Sequence, residues 1–279
     1  MVRFCPHRFG RTVRLRKQLP SLVNHRACTR QRISHTKSWN HRKNTDNQFV
    51  RILIAYTPHD KNFQTIFMMH LYDSTIPSGN AYKVQLLLSY LNLPYHSTSL
   101  DILASPPETK APAFLNLNPN GRIPILVLDD DTVLAESNAI LFFLAEGTRY
   151  LPEGKFERAK VLQWLFFEQY SHEPYVAVWK YRKYWAPGGF EDISEREVSR
   201  LKERGQDAID VMEKHLGSGR DWFVGDSHSI ADISLYAYTS AAEAIGFRVD
   251  ENVRAWLERV EKQERWVRIK KDPTGKSSF

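Results

Sequence analysis

The sequence predicts an α/β domain followed by an all-α domain, and three observations carry that expectation. Residues 69–147 alternate strand-like and helix-like runs in the order β-α-β-α-β-β-α. Residues 148–154, with Pro152 and Gly154, interrupt the periodicity and read as an interdomain linker. Residues 155–270 then show helical spacing only, leaving 271–279 as a tail.

Each element has a local reason. His70 to Tyr72 is a short β-like run ended by Asp73-Ser74, and Pro77-Ser78-Gly79-Asn80 makes a turn. Ala81, Val84, Leu87, Leu88 and Leu91 then recur at three- and four-residue spacing, one apolar helix face, until Asn92-Leu93-Pro94 stops it. Tyr95 to Leu100 is the next strand, and a β-α-β unit of this kind sets its two strands parallel. Beyond Ser105-Pro106-Pro107 a weaker helix is expected around Lys110 to Leu117, closed by the turn Asn118-Pro119-Asn120-Gly121. Ile125 to Leu128 and Thr132 to Leu134 form a hairpin about Asp129-Asp130-Asp131, and Ser137 stands as N-cap for a helix from Ala139 to Glu146. The helical half reads as Arg158 to Tyr184, Glu195 to Leu216, Ser229 to Ile245 and Val253 to Glu264.

Composition narrows the function classes. The chain has 279 residues, 42% of them hydrophobic and 12% aromatic, enough for packed cores. Its longest apolar run, Ala139 to Ala145, is far short of the roughly 20 residues that span a bilayer, so no membrane helix is expected. The net charge of +7 is concentrated at the front: residues 1–68 hold 14 Lys/Arg against Asp46 and Asp60, whereas residues 69–279 hold 25 against 30. A basic nucleic-acid-binding face is therefore not expected on the folded part. Cys5 and Cys28 both lie in the extension, which leaves the remainder without disulfides, a thiolate metal site or a cysteine nucleophile. Met1 to Thr45 is acid-free and Arg-rich, so residues 1–68 read as a disordered extension. Three readings stay open for it: a mitochondrial transit segment, a solvated basic tail, or a translated upstream stretch with the mature start near Met69.

In order and spacing, several segments resemble the cytosolic glutathione transferase superfamily over residues 69–270. They are Ser78-Gly79-Asn80-Ala81-Tyr82-Lys83-Val84, Asn118-Pro119-Asn120-Gly121-Arg122-Ile123-Pro124, Glu136-Ser137, Trp222-Phe223-Val224-Gly225-Asp226 and Ser229-Ile230-Ala231-Asp232. The Ser-Gly-Asn loop is similar to bacterial- and fungal-type members and to the zeta, theta and nu classes. The resemblance implies a thioredoxin-like glutathione-binding domain at 69–147, an all-helical domain at 155–270, glutathione as cosubstrate, no metal, a homodimer, and a cytoplasmic setting, or a mitochondrial one if the extension is a transit segment.

Glutathione chemistry needs a thiolate near neutral pH, although an ordinary thiol has a pKa of about 8.5. Lowering it by about two units takes about 2.7 kcal/mol, within reach of one hydrogen bond to the anion together with the positive end of a helix. Ser78 is the first candidate donor and Asn80 the second, with Tyr72 and Ser74 behind them; read without the resemblance, Ser78 or Asn80 caps the first helix. The resemblance implies a cis Pro124, with the backbone of Ile123 pairing with the cysteinyl unit of glutathione, and Glu136 and Ser137 holding its γ-glutamyl end. Without it, Pro124 is a strand-initiating proline and Glu136-Ser137 a helix start. Arg122 and Lys110 are candidate partners for the glycyl carboxylate, or simply solvated. Tyr175 and Trp179, on an aromatic helix, are candidates for the electrophile pocket, with core packing as the alternative. Ser229 and Asp232 form a Ser-x-x-Asp cap, a structural pair and not a catalytic one, and His228 lacks the context of a Ser-His-Asp site.

The expected function is thus a glutathione transferase acting on a soft hydrophobic electrophile or a peroxide, without nucleic-acid or membrane partners. Alternatives are a nu-type glutathione-dependent disulfide reductase, which needs no protein thiol, a zeta-type isomerase, and a non-catalytic module of the same fold.

Overall fold

In a computed structural model, residues 68–277 are described. The readings of residues 1–67 lie outside the described residues. Four strands, β1 (Met69–Ser74), β2 (Tyr95–Leu100), β3 (Ile125–Val127) and β4 (Val133–Ala135), form one sheet in the order β2-β1-β3-β4. β1 pairs parallel with β2 over six residues and antiparallel with β3, which pairs antiparallel with β4. β1 is longer than the run His70 to Tyr72 because its polar end is paired: Ser74 aligns with Leu100, and Asp73 is buried.

Helix α1 (Gly79–Tyr90) is buried on nearly every side, beyond the single expected face. It packs on α3 (Ser137–Ala145) and on α7 (Ile230–Thr239), so Tyr82, Lys83, Leu86 and Tyr90 are enclosed together with Ala81, Val84, Leu87 and Leu88. Burying an aliphatic or aromatic side chain contributes about 1.5–3 kcal/mol, which makes this contact a large part of the core. The close approach of α7 requires Gly79, where a Cβ would lie 2.5 Å from the Tyr238 ring.

The remaining helices depart from the sequence expectation at identifiable residues. The predicted helix at 110–117 is split into a 3-10 turn (Glu108–Lys110) and α2 (Pro112–Leu117), because Pro112 lacks an amide hydrogen and holds Ala111 extended. Ser137 is the first residue of α3 rather than its cap; the cap position is Glu136, with φ 70°. The long helix at 158–184 divides into α4 (Lys155–Phe167), a π-helical turn (Glu168–His172) and α5 (Glu173–Tyr184), with Pro174 in the first turn of α5. That wider turn brings both Glu168 and His172 to full burial. After α6 (Glu195–Leu216), α7 stops at Thr239, a short α8 (Ala242–Ile245) follows, and α9 spans Glu251–Glu261.

Two connections are bound to the core. In 148–154, Tyr150 and Leu151 are buried, and the Tyr150 carbonyl accepts from Ile230 N at 2.9 Å. After α9 the chain returns across the α/β part: Tyr82 Oη donates to Val267 O at 2.6 Å, Lys270 Nζ to Asp73 Oδ2 at 2.6 Å and also to Ser74 O, and Trp185 Nε1 to Asp272 Oδ2 at 3.1 Å.

Candidate active site

The cleft lies where the N-terminal end of α1, the 118–124 turn and the start of α3 face the helical half. It is lined by Asn80, Asn118, Asn120, Arg122, Ile123, Pro124, Glu136, Ser137, Gln169 and Glu173. Its wall is predominantly polar, unlike the mostly apolar lining usual for small-molecule pockets.

The turn is tied from within. Asn118 Nδ2 donates to Arg122 O at 2.8 Å and its Oδ1 accepts from Asn120 N at 3.2 Å, which presents Ile123 and Pro124 across a cis peptide bond. Ser105-Pro106 is cis as well, a feature the sequence reading did not anticipate. The left-handed backbone of Glu136, uncommon for a residue with a Cβ, turns the chain into α3 so that Glu136 and Ser137 line the cleft at its N-terminal end.

At the head of α1 two candidates separate. Ser78 is the N-cap: its hydroxyl accepts from Ala81 N at 3.3 Å, and it is not among the cleft-lining residues. Asn80 lines the cleft. Its backbone N–H donates to Tyr238 Oη at 3.2 Å, while its side chain donates from Nδ2 to Glu173 Oε1 at 3.2 Å and accepts at Oδ1 from Lys83 Nζ at 2.8 Å and Ser137 Oγ at 3.2 Å. An amide nitrogen has two hydrogens, so one N–H of Asn80 has no acceptor among the described residues and stays available to a ligand.

Behind Asn80, Lys83 and Glu168 form an ion pair at 2.8 Å with both side chains fully enclosed. Burial alone pushes the Glu168 carboxyl upward, but the Lys83 ammonium, with help from Gln169, overcomes it and holds the group below its ordinary value. Glu173, on the cleft wall, is raised above its ordinary value by burial and then by the Glu168 charge. His172 is pushed down to about 4 by burial; its Nε2 lies 2.9 Å from Thr239 Oγ1, whose hydrogen goes to Leu235 O at 2.7 Å, so Nε2 carries the ring proton.

The other predicted residues sit away from the cleft wall. Lys110 is exposed, and its Nζ donates to Asn120 O at 3.2 Å, bracing the turn from outside. Tyr175 lies under the Arg200 guanidinium at 5.5 Å. Trp179 packs against Phe190 and Phe247, and its Nε1 donates to Ile245 O at 3.0 Å. The α4–α5 region reaches the cleft through Gln169 and Glu173 instead. Ser229 and Asp232 form a reciprocal capping box. Asp232 Oδ2 accepts from Ser229 N and Oγ, both at 2.9 Å, and Oδ1 from Phe223 N at 3.0 Å and Trp256 Nε1 at 3.1 Å.

Two family models match the chain: the N-terminal domain of glutathione S-transferase over residues 77–146 and its C-terminal domain over 195–259. Glutathione S-transferase 1 of Schizosaccharomyces pombe is 31% identical over 190 residues, covering 62% of this chain and 78% of that protein. The crystal structure of a glutathione S-transferase from Pseudomonas fluorescens superposes with a TM-score of 0.65 at 46% identity, covering 72% of this chain and 98% of that one. This chain belongs to the cytosolic glutathione transferase superfamily.

Within that superfamily the similarity extends to proteins of other names. The disulfide-bond oxidoreductase YfcG of Escherichia coli is 29% identical over 202 residues, 69% of this chain and 90% of that protein. Protein URE2 of Candida maltosa is 27% identical over 209 residues, 61% of this chain and 62% of that protein, so this chain spans about three fifths of its length. A glutathione transferase of Phanerochaete chrysosporium, URE2P8, solved with oxidized glutathione, superposes with a TM-score of 0.62 at 26% identity, over 75% of this chain and 93% of that one. The glutathione transferase fold, a thioredoxin-like sheet followed by a helical domain, is the architecture described above.

The sequence does not single out Asn118, Asn120, Gln169 and Glu173 on the cleft wall, or Lys83 and Glu168 behind it, as site residues. Asn118 and Asn120 are visible as turn formers and as part of the segment that carries the family resemblance, with no site role of their own. Lys83 carries a usable signal, being the single charge in the mostly apolar run from Ala81 to Leu91. Among the described residues, no helix is long and apolar enough to cross a membrane, and no group of three or more His, Cys, Asp and Glu side chains could hold a metal.

Proposed function

We propose that the protein binds reduced glutathione in this cleft and holds it as the thiolate for attack on an electrophilic acceptor, with Asn80 as the principal hydrogen-bond donor to sulfur. The observation that carries this is the Asn80 side chain. Its oxygen is occupied by two donors and its nitrogen keeps one N–H for the cleft, at the head of a 12-residue helix whose positive end favours an anion. Ser78, the first choice from sequence, is better explained as the cap. Ile123 and Pro124 are assigned to the cysteinyl backbone, Glu136 and Ser137 to the γ-glutamyl end and Arg122 to the glycyl carboxylate, with Lys110 in a bracing role. The complex of a relative with oxidized glutathione supports a glutathionyl ligand in the cleft.

The acceptor is the second question. Gln169 and Glu173 make the helical wall of the cleft polar, which favours a glutathionyl-bearing disulfide over the hydrophobic electrophile expected from Tyr175 and Trp179. In that reading the thiolate attacks one sulfur of the mixed disulfide, a new S–S bond forms in oxidized glutathione, and the departing thiolate takes a proton from water. The named activity of the E. coli relative supports it. The large apolar side chains left exposed on and next to α3 and α4, Phe143, Phe166 and Tyr170, support a homodimer.

Calorimetric titration of the full chain with reduced glutathione, followed by turnover of a mixed disulfide, a peroxide and a chlorinated aromatic, tests both parts. Binding heat with the mixed disulfide as best substrate is expected. Absence of heat removes the glutathione reading, and preference for the chlorinated aromatic removes the disulfide reading.

A further inference from the structure

We infer that Lys83, through its buried pairing with Glu168, is the positioning residue that sets the orientation of the Asn80 amide. The inference rests on Asn80 being the donor to the glutathione thiolate, and it adds how that donor is kept facing the right way.

An Asn side chain presents two nearly isosteric orientations that differ only in which end carries lone pairs. One of them offers N–H to a bound sulfur anion, and the other offers a carbonyl oxygen that repels it. The choice is made by the neighbours, and the neighbour with no alternative is an ammonium group, which donates and never accepts. Lys83 Nζ sits in an ion pair 2.8 Å from Glu168 Oε1 and donates hydrogen bonds to Asn80 Oδ1 at 2.8 Å and Ser137 Oγ at 3.4 Å. Because Nζ lies against one end of the Asn80 amide, that end must be the oxygen. The Ser137 hydroxyl, which accepts from Lys83, then sends its own hydrogen to the same oxygen at 3.2 Å. The amide nitrogen is left facing Glu173 and the cleft.

The lysine is itself held. Glu168 Oε2 accepts from Asn138 Nδ2 and from Gln169 Nε2, both at 3.0 Å, and Asn138 Oδ1 accepts from Ser234 Oγ at 2.7 Å. A line of hydrogen bonds joined by the Lys83–Glu168 ion pair thus runs from α7 through α3 and the π-helical turn to α1, ending at the cleft. Nothing in the packing of α1 asks for a charge at this position, since its buried neighbours Tyr82, Val84, Leu86 and Leu87 are apolar or aromatic. Buried ion pairs are weak contributors to stability and often exchange for apolar pairs without loss. Orientation of Asn80 is what an apolar pair could not supply.

The test removes both charges together, so that neither is left unpaired. In the full chain carrying Lys83→Met with Glu168→Leu, the pKa of the bound glutathione thiol, read from the ultraviolet absorbance of the thiolate across pH, is expected to rise by about one unit, a tenfold loss of thiolate at neutral pH. Affinity for S-methylglutathione, which has no thiol proton to lose, is expected to stay within about twofold, less than half the effect of a one-unit shift. A second pair, Lys83→Leu with Glu168→Met, repeats the measurement should the first not fold. An unchanged thiol pKa in a folded variant overturns the inference, as does a rise matched by an equal loss of S-methylglutathione affinity, the mark of a merely structural role. Failure of both pairs to fold also overturns it, by assigning the ion pair to the core. If the unmodified protein binds no glutathione, the reading of the cleft falls and this inference falls with it. If it binds glutathione with a depressed thiol pKa that the variants share, only the inference falls.

Discussion

At the scale of single residues, Ser78 and Asn80 are two positions apart yet separate cleanly in what each can do. The Ser78 hydroxyl accepts from the Ala81 amide and is hydrogen-bonded to Tyr238, whereas Asn80 has a pinned oxygen and an N–H to spare. A hydrogen bond to a charged group contributes about 1.5–3 kcal/mol, so Asn80→Ala is expected to lower kcat by about 10- to 150-fold near pH 7 and to raise the bound thiol pKa by one to two units. Ser78→Ala is expected to cost about 1 kcal/mol of stability, the usual loss of an N-cap, and to leave the thiol pKa in place. Parallel pH–rate profiles and urea melts of the two variants check this. A thiol pKa that rises in Ser78→Ala and not in Asn80→Ala reverses the assignment.

At the scale of elements, Asp232 joins three segments that are separated in sequence. Its two carboxylate oxygens collect the amide of Phe223, the amide and hydroxyl of Ser229 at the start of α7, and the indole N–H of Trp256 in α9. Burial raises its carboxyl to about 6, and these four donors suit the ionised form that it keeps at neutral pH. Asp232→Ala leaves several buried donors without an acceptor, each costing about 1–3 kcal/mol. A total loss of about 3–5 kcal/mol is expected, the range seen when a buried polar network loses its charged member. Equilibrium urea unfolding measures it, and a loss below about 1 kcal/mol shows that the α7 cap is dispensable.

At the scale of the whole molecule, two buried histidines set the response to acid. His172 is depressed to about 4 and His228 to about 3, both by burial in the first place, against an ordinary value of 6.5. His228 sits among Tyr90, Tyr150 and Trp222, and neither ring nitrogen has a hydrogen-bond partner among the described residues. As the pH falls below about 6.5 the unfolded chain takes up protons that the folded chain refuses, so stability declines until the folded values are reached. Asp232 acts with the opposite sign, since its folded carboxyl binds a proton earlier than the unfolded one, and the raised Glu173 does the same; together they offset only part of the decline. Each histidine accounts for about 2 kcal/mol between pH 7 and 5. His228→Phe is therefore expected to change stability by less than about 1.5 kcal/mol at pH 7 and to remove about 2 kcal/mol of the loss at pH 5. Melting curves at the two pH values decide, and an unaltered acid response places the sensitivity elsewhere.

The sequence by itself determined what short-range chemistry can dictate. Turn formers such as Asn118-Pro119-Asn120-Gly121, the apolar spacing from Ala81 to Leu91 and the Glu195–Leu216 periodicity were enough for the element order and the fold class. The family resemblance brought in Asn80, Ile123, Pro124, Glu136 and Ser137, which the fold gathers around one cleft. Only the tertiary structure decided which side chain at the head of α1 faces that cleft, because Ser78 and Asn80 have the same local preferences and differ in what packs over them. It alone paired Lys83 with Glu168, residues whose separation along the chain carries no periodic signal and which meet through a π-helical turn that the 3.6-residue pattern hid. For the same reason it withdrew Tyr175 and Trp179 from the cleft wall: an aromatic helix shows how much it must bury, while the direction each ring takes depends on neighbours from distant segments, here Phe190, Phe247 and Arg200.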